Sequence, residues 1–469
     1  MKIPRTLPTR EPRRPLLDLG FHPMVVGLLA LALGLTLVFP GAAQATTYIV
    51  DPGGGGDSPT IGGAVSSASN GDTIQIASGT YTEFVSFTED LVFIAEVFGQ
   101  VNWQPHNGRT LFVDSGATLE IYGIRFTGNG SAIEIYTQEP CKIWNCTFEN
   151  LTATGGGLGI YVDSCSIDVN ECTFSHLEAT GTLYGGAAIY TYNPSGTTSR
   201  IANSTFEYCT TFADGGAIDA RCTGLTIENC EFRHCDALYG GAIYFICHES
   251  QIRNCIFENN HCDYLGGAIY VASISGDEIA DNTFRLNTAD SRGGALYAAG
   301  DVADATITRN LFVENTAAEG GAIYQDDFAD VIEYCTFYGN EGSAFGSAIY
   351  VYFGSPNIVQ NIFCRHDGTA AIYCSGTPAV ACNAFWDNFA GDVEVCSPPS
   401  PANGNIFQDP KFCDAPLGDL TITFDSPCAS SQVPGGCVGQ MGRYGAACDE
   451  TSVEVPSWGR LRSMFRDPH

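Results

Sequence analysis

The sequence predicts an all-β fold, a parallel β-helix of about 14 coils that is roughly 65–70 Å long at the usual strand spacing. A short phrase, LGGAIYV at 265–271, recurs with small changes at 239–245, 292–298 and 319–325. Each period holds two short alternating apolar runs separated by Gly, Asn or Asp, the pattern of strands and turns. A marker phenylalanine also recurs every 22 to 32 residues, at Phe126, Phe148, Phe174, Phe206, Phe232, Phe257, Phe284, Phe312, Phe337, Phe363, Phe385 and Phe407.

Repeats of this length cannot bury a core alone and must stack on their neighbours. Strands that recur once per coil then run parallel, about 4.8 Å apart, so equivalent residues form columns. The Gly-Gly pair predicts a corner with a positive φ angle, before a strand whose first large apolar residue points inward. We predict this solenoid over residues 46–395, with one interior column of marker phenylalanines and another of Ile160, Ile189, Ile218, Ile243, Ile269, Leu296, Ile323, Ile349 and Ile372.

Residues 1–45 are predicted to be a signal peptide. They combine a basic start, an apolar run from Met24 to Val38, and the small-x-small sequence Ala43-Gln44-Ala45. The alternative is an uncleaved anchor helix, but the run is short for a membrane span and no second run of spanning length follows. We therefore expect an exported protein, extracellular, on the cell surface or periplasmic, without a transmembrane segment in the mature chain.

The charge of the chain limits its partners. The whole chain carries a net charge of −31, and the predicted mature chain has 16 Lys and Arg against 50 Asp and Glu. Such a surface repels nucleic acid, and we expect a monomer. Ca²⁺ is compatible with an acidic chain, but no D-x-D-x-D-G loop is present, and no C-x-x-C pair suggests zinc. We therefore expect no cofactor.

The repeats resemble a known family. Gly-Gly-Ala-Ile followed by Phe-x-x-Asn is similar to the repeats of polymorphic outer-membrane proteins, which belong with the pectin-lyase-like right-handed β-helices. The asparagines that carry the resemblance are Asn129, Asn260, Asn287, Asn315, Asn340 and Asn388. The stretch from Thr60 to Glu83 resembles the opening of such helices, which implies a short N-terminal capping helix. This fold hosts lyases, hydrolases, epimerases and adhesins, so the resemblance implies the fold without assigning a function.

Alternation along the strand places the residue after each inward isoleucine on the outer surface. This outward column reads Tyr161, Tyr190, Asp219, Tyr244, Tyr270, Tyr297, Tyr324, Tyr350 and Tyr373. The rings could form a platform on which a sugar chain stacks, or they could simply stack on one another. The candidates for ligand contact are Tyr190, Tyr244, Tyr270, Tyr297, Tyr324 and Tyr350.

An enzyme is the alternative to a binding protein. The residue after the marker phenylalanine reads Glu207, Arg233, Glu258 and Arg285, and opposite charges one coil apart favour simple ion pairs. The motifs of known pectate lyases and polygalacturonases are not recognisable. The coils are also too uniform to build a cleft, and the only evident insertion is at 191–200. If an active site exists, its candidates are His234, His248, Glu249, Arg253 and His261.

All 20 cysteines lie in the predicted mature part, where an even number favours disulfides. Cys209 with Cys235, and Cys222 with Cys247, share columns one coil apart, so we predict two disulfides between them. Residues 396–448 are predicted to form Cys-rich final coils and a cap over the open end. The pairing of Cys396, Cys413, Cys428, Cys437 and Cys448 cannot be deduced, and one of them must pair elsewhere or stay free.

Residues 449–469 are predicted to be a flexible tail. Trp458, Leu461 and Phe465 have i, i+3, i+7 spacing, which would put them on one face of a docking helix, and a frayed terminus is the alternative. As a whole, the sequence favours an exported module for surface-associated binding or adhesion, which contacts a glycan or a cell-surface protein along one face. The second hypothesis is a carbohydrate-active enzyme of the polysaccharide lyase or glycoside hydrolase type, and the third is a structural envelope component.

Overall fold

A computed structural model describes residues 45–449 apart from 183–184, 194–197, 273–275, 301–304, 328–330, 398 and 435. The predicted signal peptide, except its last residue, and the predicted tail beyond Asp449 lie outside the described residues. The described chain is an all-β solenoid in which each coil adds strands to three long parallel sheets. One of these sheets has 14 strands, which confirms the predicted number of coils.

The tyrosine sheet has 13 strands and carries the outward tyrosine column. Its strands are Val85–Phe87, Arg109–Val113, Ser131–Ile135, Ile160–Asp163, Ile189–Asn193, Ile218–Thr223, Ile243–His248, Ile269–Ala272, Leu296–Ala299, Ile323–Asp326, Ile349–Phe353, Ile372–Cys374 and Val393–Glu394. The middle sheet follows it in each coil. Its strands are Thr47–Val50, Asp72–Ile76, Leu91–Ala95, Leu119–Tyr122, Cys141–Trp144, Ile167–Asn170, Ser199–Ala202, Leu225–Glu228, Gln251–Arg253, Glu278–Ala280, Thr306–Thr308, Val331–Glu333, Asn357–Val359 and Ala379–Ala381.

The phenylalanine sheet carries the marker phenylalanines, and from residue 231 onward a bend divides most of its strands in two. Its strands are Gly79–Thr82, Val101–Gln104, Ile124–Gly128, Thr147–Ala153, Thr173–Ala179, Thr205–Thr211, Glu231–Arg233, Asp236–Tyr239, Ile256–Glu258, His261–Leu265, Thr283–Arg285, Thr288–Ala289, Leu311–Val313, Thr316–Glu319, Thr336–Tyr338, Glu341–Phe345, Ile362–Cys364, Asp367–Gly368 and Ala384–Trp386. The three sheets enclose one continuous apolar core.

The two predicted interior columns are confirmed. Marker phenylalanines pair in register, as Phe174 does with Phe206, and the rings of these two stack at 4.7 Å with an interplanar angle of 1°. The isoleucine column is also in register and fully buried, for example at Ile243 and Ile269. Full burial of each such side chain contributes about 1.5–3 kcal/mol, which offsets the cost of ordering the coil.

The Gly-Gly corner needs glycine at both positions, for two different reasons. Gly266 has a φ angle of +75°, a conformation that other residues rarely adopt. At Gly267 a Cβ atom would lie only 2.1 Å from the carbonyl oxygen of Gly294 in the next coil. The Gly-Gly pair at 266–267 is therefore dictated by the backbone.

Two ladders of buried asparagines run through the later coils. In the first ladder, the backbone N–H and the side-chain amide of Asn260 both donate to Oδ1 of Asn287, at 3.0 and 2.9 Å. The same pattern continues through Asn315 to Asn340, and Asn260 also donates to the carbonyl of Phe232. The second ladder consists of Asn282, Asn310, Asn361, Asn383 and Asn405, with Cys335 between Asn310 and Asn361. These amides satisfy the backbone groups that each bend leaves unpaired.

A short helix, Ile61–Val65, covers the first coil, as the resemblance implied. The hydroxyl of Thr60 accepts a hydrogen bond from the N–H of Gly63, which is a standard N-cap. Glu83 accepts two more hydrogen bonds, from the N–H groups of Ile61 and Gly62, at 2.9 and 3.0 Å. Both contacts fix the start of the helix against the neighbouring coil.

The C-terminal region contains the short helices Pro401–Asn403 and Ala415–Leu417 and the strands Phe412–Asp414, Asp419–Thr423 and Ala446–Cys448. Phe407 stacks on Phe385 at 6.0 Å, so this part covers the last coil. The remainder folds back along the outer surface of the phenylalanine sheet. The guanidinium of Arg443 donates there to the carbonyls of Asp281 and Asn282, at 2.7 and 2.6 Å. The region is therefore attached to the flank of the solenoid as well as to its end.

Three disulfides tie this region, Cys374–Cys396, Cys382–Cys437 and Cys413–Cys448, and Cys428 is a free thiol. The two disulfides predicted further up the chain are absent: Cys209, Cys235, Cys222 and Cys247 are all buried free thiols. Cys222 and Cys247 are register partners, with their sulfurs 2.9 Å apart. In-register parallel residues keep their Cβ atoms near the strand spacing of about 4.8 Å, whereas a disulfide prefers about 3.8 Å.

Candidate functional site

The outward tyrosines form a stacked column on the tyrosine sheet. The rings of Tyr244 and Tyr270 are 4.8 Å apart at an interplanar angle of 12°, and those of Tyr270 and Tyr297 are 5.1 Å apart at 10°. Because each ring face lies against its neighbour, mainly the ring edges point away from the sheet. A sugar cannot stack on faces that are already occupied.

The later part of this column is covered. We call Tyr270, Tyr297, Tyr324, Tyr350 and Tyr373 the covered ladder. Tyr297 is 7% exposed, Tyr324 is 0% exposed and Tyr350 is 6% exposed. The covering side chains come from the residue before a Gly-Gly or Gly-Ser pair. The Arg292 guanidinium lies 5.0 Å from the ring of Tyr324, and Phe345 packs 4.6 Å from the ring of Tyr373.

This burial does not favour ligand contact at Tyr297, Tyr324 or Tyr350, and Tyr190 is also only 7% exposed. Tyr244 and Tyr270 are partly buried. Among the six tyrosines predicted to contact a ligand, these two therefore retain the most accessible surface. The sequence places all six in one outward column, but it does not show which of them the neighbouring turns cover.

The earlier part of the tyrosine sheet is more accessible. We call Phe112, Tyr136, Tyr161, Tyr192 and Arg221 the open face. The ring of Tyr136 stacks between Phe112, at 5.3 Å, and Tyr161, at 5.4 Å, and its edge is exposed. Tyr192 is 43% exposed, and no other ring stacks on it among the described residues. This face therefore offers tyrosine edges together with the exposed part of the Tyr192 ring.

Asp219 interrupts the tyrosine column at the end of the open face. It is the register partner of Tyr190 on one side and Tyr244 on the other. The side chain of Arg221 folds over it and donates from Nε to Asp219 Oδ1 at 2.9 Å. The guanidinium also lies 5.0 Å from the Tyr244 ring, so it occupies the stacking position that a tyrosine at 219 would fill.

The cluster around Asp219 is buried on one side and accessible on the other. Asp219 is 0% exposed, and it accepts a further hydrogen bond from the N–H of Gly185 at 3.3 Å. Burial raises the pKa of Asp219 to about 6, although Arg221 opposes the shift. Arg221 also donates to Asp214 at 3.0 Å, and its side chain remains 36% exposed. The arginine is the part of this cluster that a ligand can reach.

A groove of about 700 Å³ extends the open face toward the capping helix. Val65 and Ala68 form one wall, and Phe84, Arg109 and Phe112 form another. The guanidinium of Arg109 lies 4.9 Å from the ring of Phe112, and its Nε donates to Glu134 at 3.0 Å. The groove and the tyrosine edges meet at Phe112, so they form one continuous surface.

The structure does not bring the five catalytic candidates together. His234 lies in a turn of the phenylalanine sheet and stacks on Tyr208 at 4.8 Å. Arg253 lies on the middle sheet and donates to Glu228 at 3.0 Å. His248 ends a strand of the tyrosine sheet, and Glu249 follows it in the turn. These four residues are thus distributed over different sheets and turns of the solenoid.

The fifth candidate, His261, lies on the phenylalanine sheet, and its Nδ1 is 2.7 Å from Asp236. Burial of the ring disfavours its protonation, but the hydrogen bonds and charges of Asp236 and Asp290 outweigh burial and raise the pKa of His261. The predicted surface ion pairs are confirmed nearby. Glu258 lies 3.4 Å from Arg233 and 3.5 Å from Arg285, each one coil away. These two arginines therefore form ion pairs between neighbouring coils on the surface of the solenoid.

Sequence reasoning identified the outward column but missed most of the open face. Asp219 was visible as the one exception to tyrosine in its column. Tyr136 and Tyr192 stand two residues beyond the column, on the same side of their strands, and this spacing was the available signal. The packing of Arg221 on Tyr244 had no signal in the sequence.

Comparison with known proteins supports the fold. Residues 187–363 match the model of the family described as the right handed beta helix region. The chain is similar in structure to PfbA, a surface adhesin of Streptococcus pneumoniae, with 14% identity and a TM-score of 0.41 over 72% of this chain and 87% of the adhesin. It is also similar to the PL6 family alginate lyase AlyGC, with 16% identity and a TM-score of 0.45 over 72% of this chain and 52% of the lyase.

A third similar structure is the catalytic domain of the GH87 alpha-1,3-glucanase in complex with nigerose, with 10% identity and a TM-score of 0.33 over 74% of this chain and 67% of that domain. No curated protein was found to be similar in sequence. At these distances the similarities assign no activity. Within the described residues, no helix is long and apolar enough to cross a membrane.

Proposed function

We propose that this protein is an exported binding module that contacts a neutral glycan through the open face. The observation that carries the proposal is the accessibility of this face: Tyr192 is 43% exposed and no described ring stacks on it, whereas Tyr324 in the covered ladder is 0% exposed. An aromatic ring face binds the apolar side of a sugar, and tyrosine edges and a guanidinium bind its hydroxyl groups.

The charge of the open face favours a neutral glycan over an acidic one. Glu134 pairs with Arg109, while Asp214 and Asp219 both pair with Arg221. Asp163 lies on the same side of the sheet, two residues after Tyr161. The carboxylates therefore outnumber the cations, within a chain whose net charge is −31. A polyuronate would be repelled by this surface.

Export and a surface-associated role are part of the same proposal. The predicted signal peptide and three disulfides support an oxidising compartment. The Gly-Gly-Ala-Ile and Phe-x-x-Asn phrases support a relation to polymorphic outer-membrane protein repeats. A long solenoid side that holds a row of accessible groups suits adhesion, because an extended partner can lie along it.

The enzyme hypothesis has weaker support. A lyase needs a base and an unpaired cation near one bond, and the open face offers Arg221 with two carboxylates already on it. Asp219 has the raised pKa expected of a catalytic acid, but its side chain is 0% exposed and cannot reach a substrate. We therefore expect no cleavage of the bound glycan.

A glycan array probed with the fragment 46–469 tests the proposal. We expect neutral oligosaccharides to bind, and Tyr192→Ala to weaken binding about 10-fold or more, as the loss of an aromatic anchor does. Tyr208→Ala is a matched control, because Tyr208 is 42% exposed on the phenylalanine sheet. Equal losses in the two variants, binding to acidic polysaccharides alone, or release of sugar products would contradict the proposal.

A further inference from the structure

A cluster of potential metal ligands lies on the phenylalanine sheet, away from the open face. It consists of His261, Asp263 and Asp290, whose ligand atoms all lie within 4.8 Å of one another. His261 and Asp263 belong to one coil, and Asp290 to the next. All three side chains are wholly or partly accessible, so an ion from solution can reach them.

The histidine of this cluster is held in a set orientation. Asp236, one coil before it and directly in register, lies 2.7 Å from Nδ1 of His261. A carboxylate on one ring nitrogen keeps the proton there and leaves the lone pair of the other nitrogen free. This is how proteins orient metal-binding histidines. The free nitrogen, Nε2, is the one that faces Asp290.

The distance between these two groups suits a shared ion better than a direct hydrogen bond. His261 Nε2 lies 3.5 Å from Asp290 Oδ1. Hydrogen bonds between such groups are usually about 2.7–3.2 Å long. Two ligand atoms on a tetrahedral zinc ion, each about 2.0–2.2 Å from the metal, are about 3.3–3.5 Å apart. Rotation of the exposed Asp263 side chain would bring its oxygen to the same centre.

The charge around the cluster also differs from that of the surrounding surface. Elsewhere on this sheet, carboxylates alternate with arginines from coil to coil, as Glu319 does with Arg292 at 2.8 Å. Here Asp236, Asp263 and Asp290 come together, and among the described residues His261 is the only basic group within 4.0 Å of them. A divalent cation would supply the missing positive charge.

From this geometry we infer a surface site for a zinc-type divalent ion, with His261 Nε2, Asp263 and Asp290 as ligands and Asp236 as the residue that positions the histidine. A nitrogen ligand together with only two carboxylates favours Zn²⁺ over Ca²⁺, which prefers six to eight oxygen ligands. Water would complete the tetrahedron.

Calorimetric titration of the purified chain with Zn²⁺ in chelator-free buffer tests the inference. We expect His261→Gln to lower the affinity at least 100-fold, and Asp236→Asn to lower it about 10-fold through the loosened histidine. His234→Gln is the control, since that ring stacks on Tyr208 in the same sheet. All four proteins should unfold at similar temperatures, because these side chains are accessible.

A crystal soaked with Zn²⁺ provides the second measurement. Anomalous scattering at the zinc edge should place the ion between His261, Asp263 and Asp290. Zn²⁺ binding that His261→Gln leaves unchanged would overturn the inference, as would an ion located only at the buried thiols. A site that Ca²⁺ fills and Zn²⁺ cannot displace would overturn the choice of metal, and unaltered affinity in Asp236→Asn would overturn the positioning role.

Discussion

The two halves of the solenoid use the same repeat but differ in what they leave free. In the later coils, Tyr297, Tyr324 and Tyr350 of the covered ladder are buried, and the bends of the phenylalanine sheet are filled by buried asparagines such as Asn315. In the earlier coils, tyrosine edges reach the surface, and the equivalent bend positions hold Leu177, Cys209 and Cys235. The later half satisfies the polar groups of its bends internally, whereas the earlier half leaves tyrosine edges at its surface.

The difference shows that an outward position in a β-helix is not automatically a surface position. Leu265, Arg292 and Glu319 stand at the end of the phenylalanine sheet, in register with one another, and pack toward the tyrosines of the adjacent sheet. The turn before Tyr161 instead contains three consecutive glycines at 155–157, which have no side chains with which to cover it. Side chains at the end of the phenylalanine sheet thus contribute to the burial of the later tyrosines.

The largest expected effect is a difference in stability between a variant of the later half and a variant of the earlier half. Tyr297→Ala removes a ring that is only 7% exposed and stacked on both sides, so the free energy of unfolding should fall by about 3–5 kcal/mol. Tyr192→Ala removes an exposed ring and should change it by about 0.5 kcal/mol or less. Urea denaturation of both variants provides the measurement. Similar losses in the two would remove the distinction between the halves.

The asparagine ladder should make the later bends more sensitive to substitution. Asn315→Ala leaves the N–H and the amide of Asn287 without their shared acceptor, and we expect a loss of about 3 kcal/mol. Cys235→Ala, in the same column of the earlier half, should cost about 1 kcal/mol, because it removes one small apolar group. Denaturant titration can compare the two, and equal costs would contradict the role given to the ladder.

Asp219, which lies beside the open face, should make the stability of the protein depend on pH. Its pKa is raised to about 6 in the folded protein, so between its ordinary value of 3.8 and 6 the folded state holds a proton that the unfolded state has lost. Stability therefore falls as the pH rises through this window. Relative to Asp219→Asn, the wild-type protein should lose up to about 3 kcal/mol between pH 4 and pH 7. A constant difference across that range would refute the raised pKa.

His366, in the later half, should make the stability of the protein depend on pH in the opposite direction. The expected change in the free energy of unfolding is smaller than that for Asp219. It replaces an asparagine in the first ladder, where its Nδ1 accepts from the N–H of Asn340 at 3.1 Å. Burial lowers its pKa to about 3 from the ordinary value of 6.5. Below pH 6.5 the unfolded state binds a proton that the folded state does not, so stability falls as the pH falls.

His366→Asn restores the ladder residue and removes this titration. Between pH 7 and pH 5, the wild-type protein should lose about 2 kcal/mol relative to the variant. Unfolding experiments at the two pH values provide the test. A variant that loses stability in parallel with the wild-type protein would show that His366 already carries a proton in the folded state.

The features that depend on the repeat period and on strand alternation could be predicted from the sequence. The two interior columns, the outward tyrosine column, the positive φ angle of Gly266 and the number of coils follow from the spacing of residues along the chain. Each property involves a residue and its equivalent in the next coil, so a one-dimensional pattern is enough to predict it. The interruption at Asp219 was visible for the same reason.

The side chains that cover each face of the solenoid could not be predicted from the repeat and are known only from the folded chain. The burial of Tyr324 depends on Arg292, which belongs to a different sheet, and the path of the C-terminal region depends on contacts such as that of Arg443 with Asn282. Column sharing placed Cys222 beside Cys247, but the spacing of in-register strands left them as thiols. The physical reason is that covering depends on the directions of side chains across turns, and a repeat period does not specify those directions.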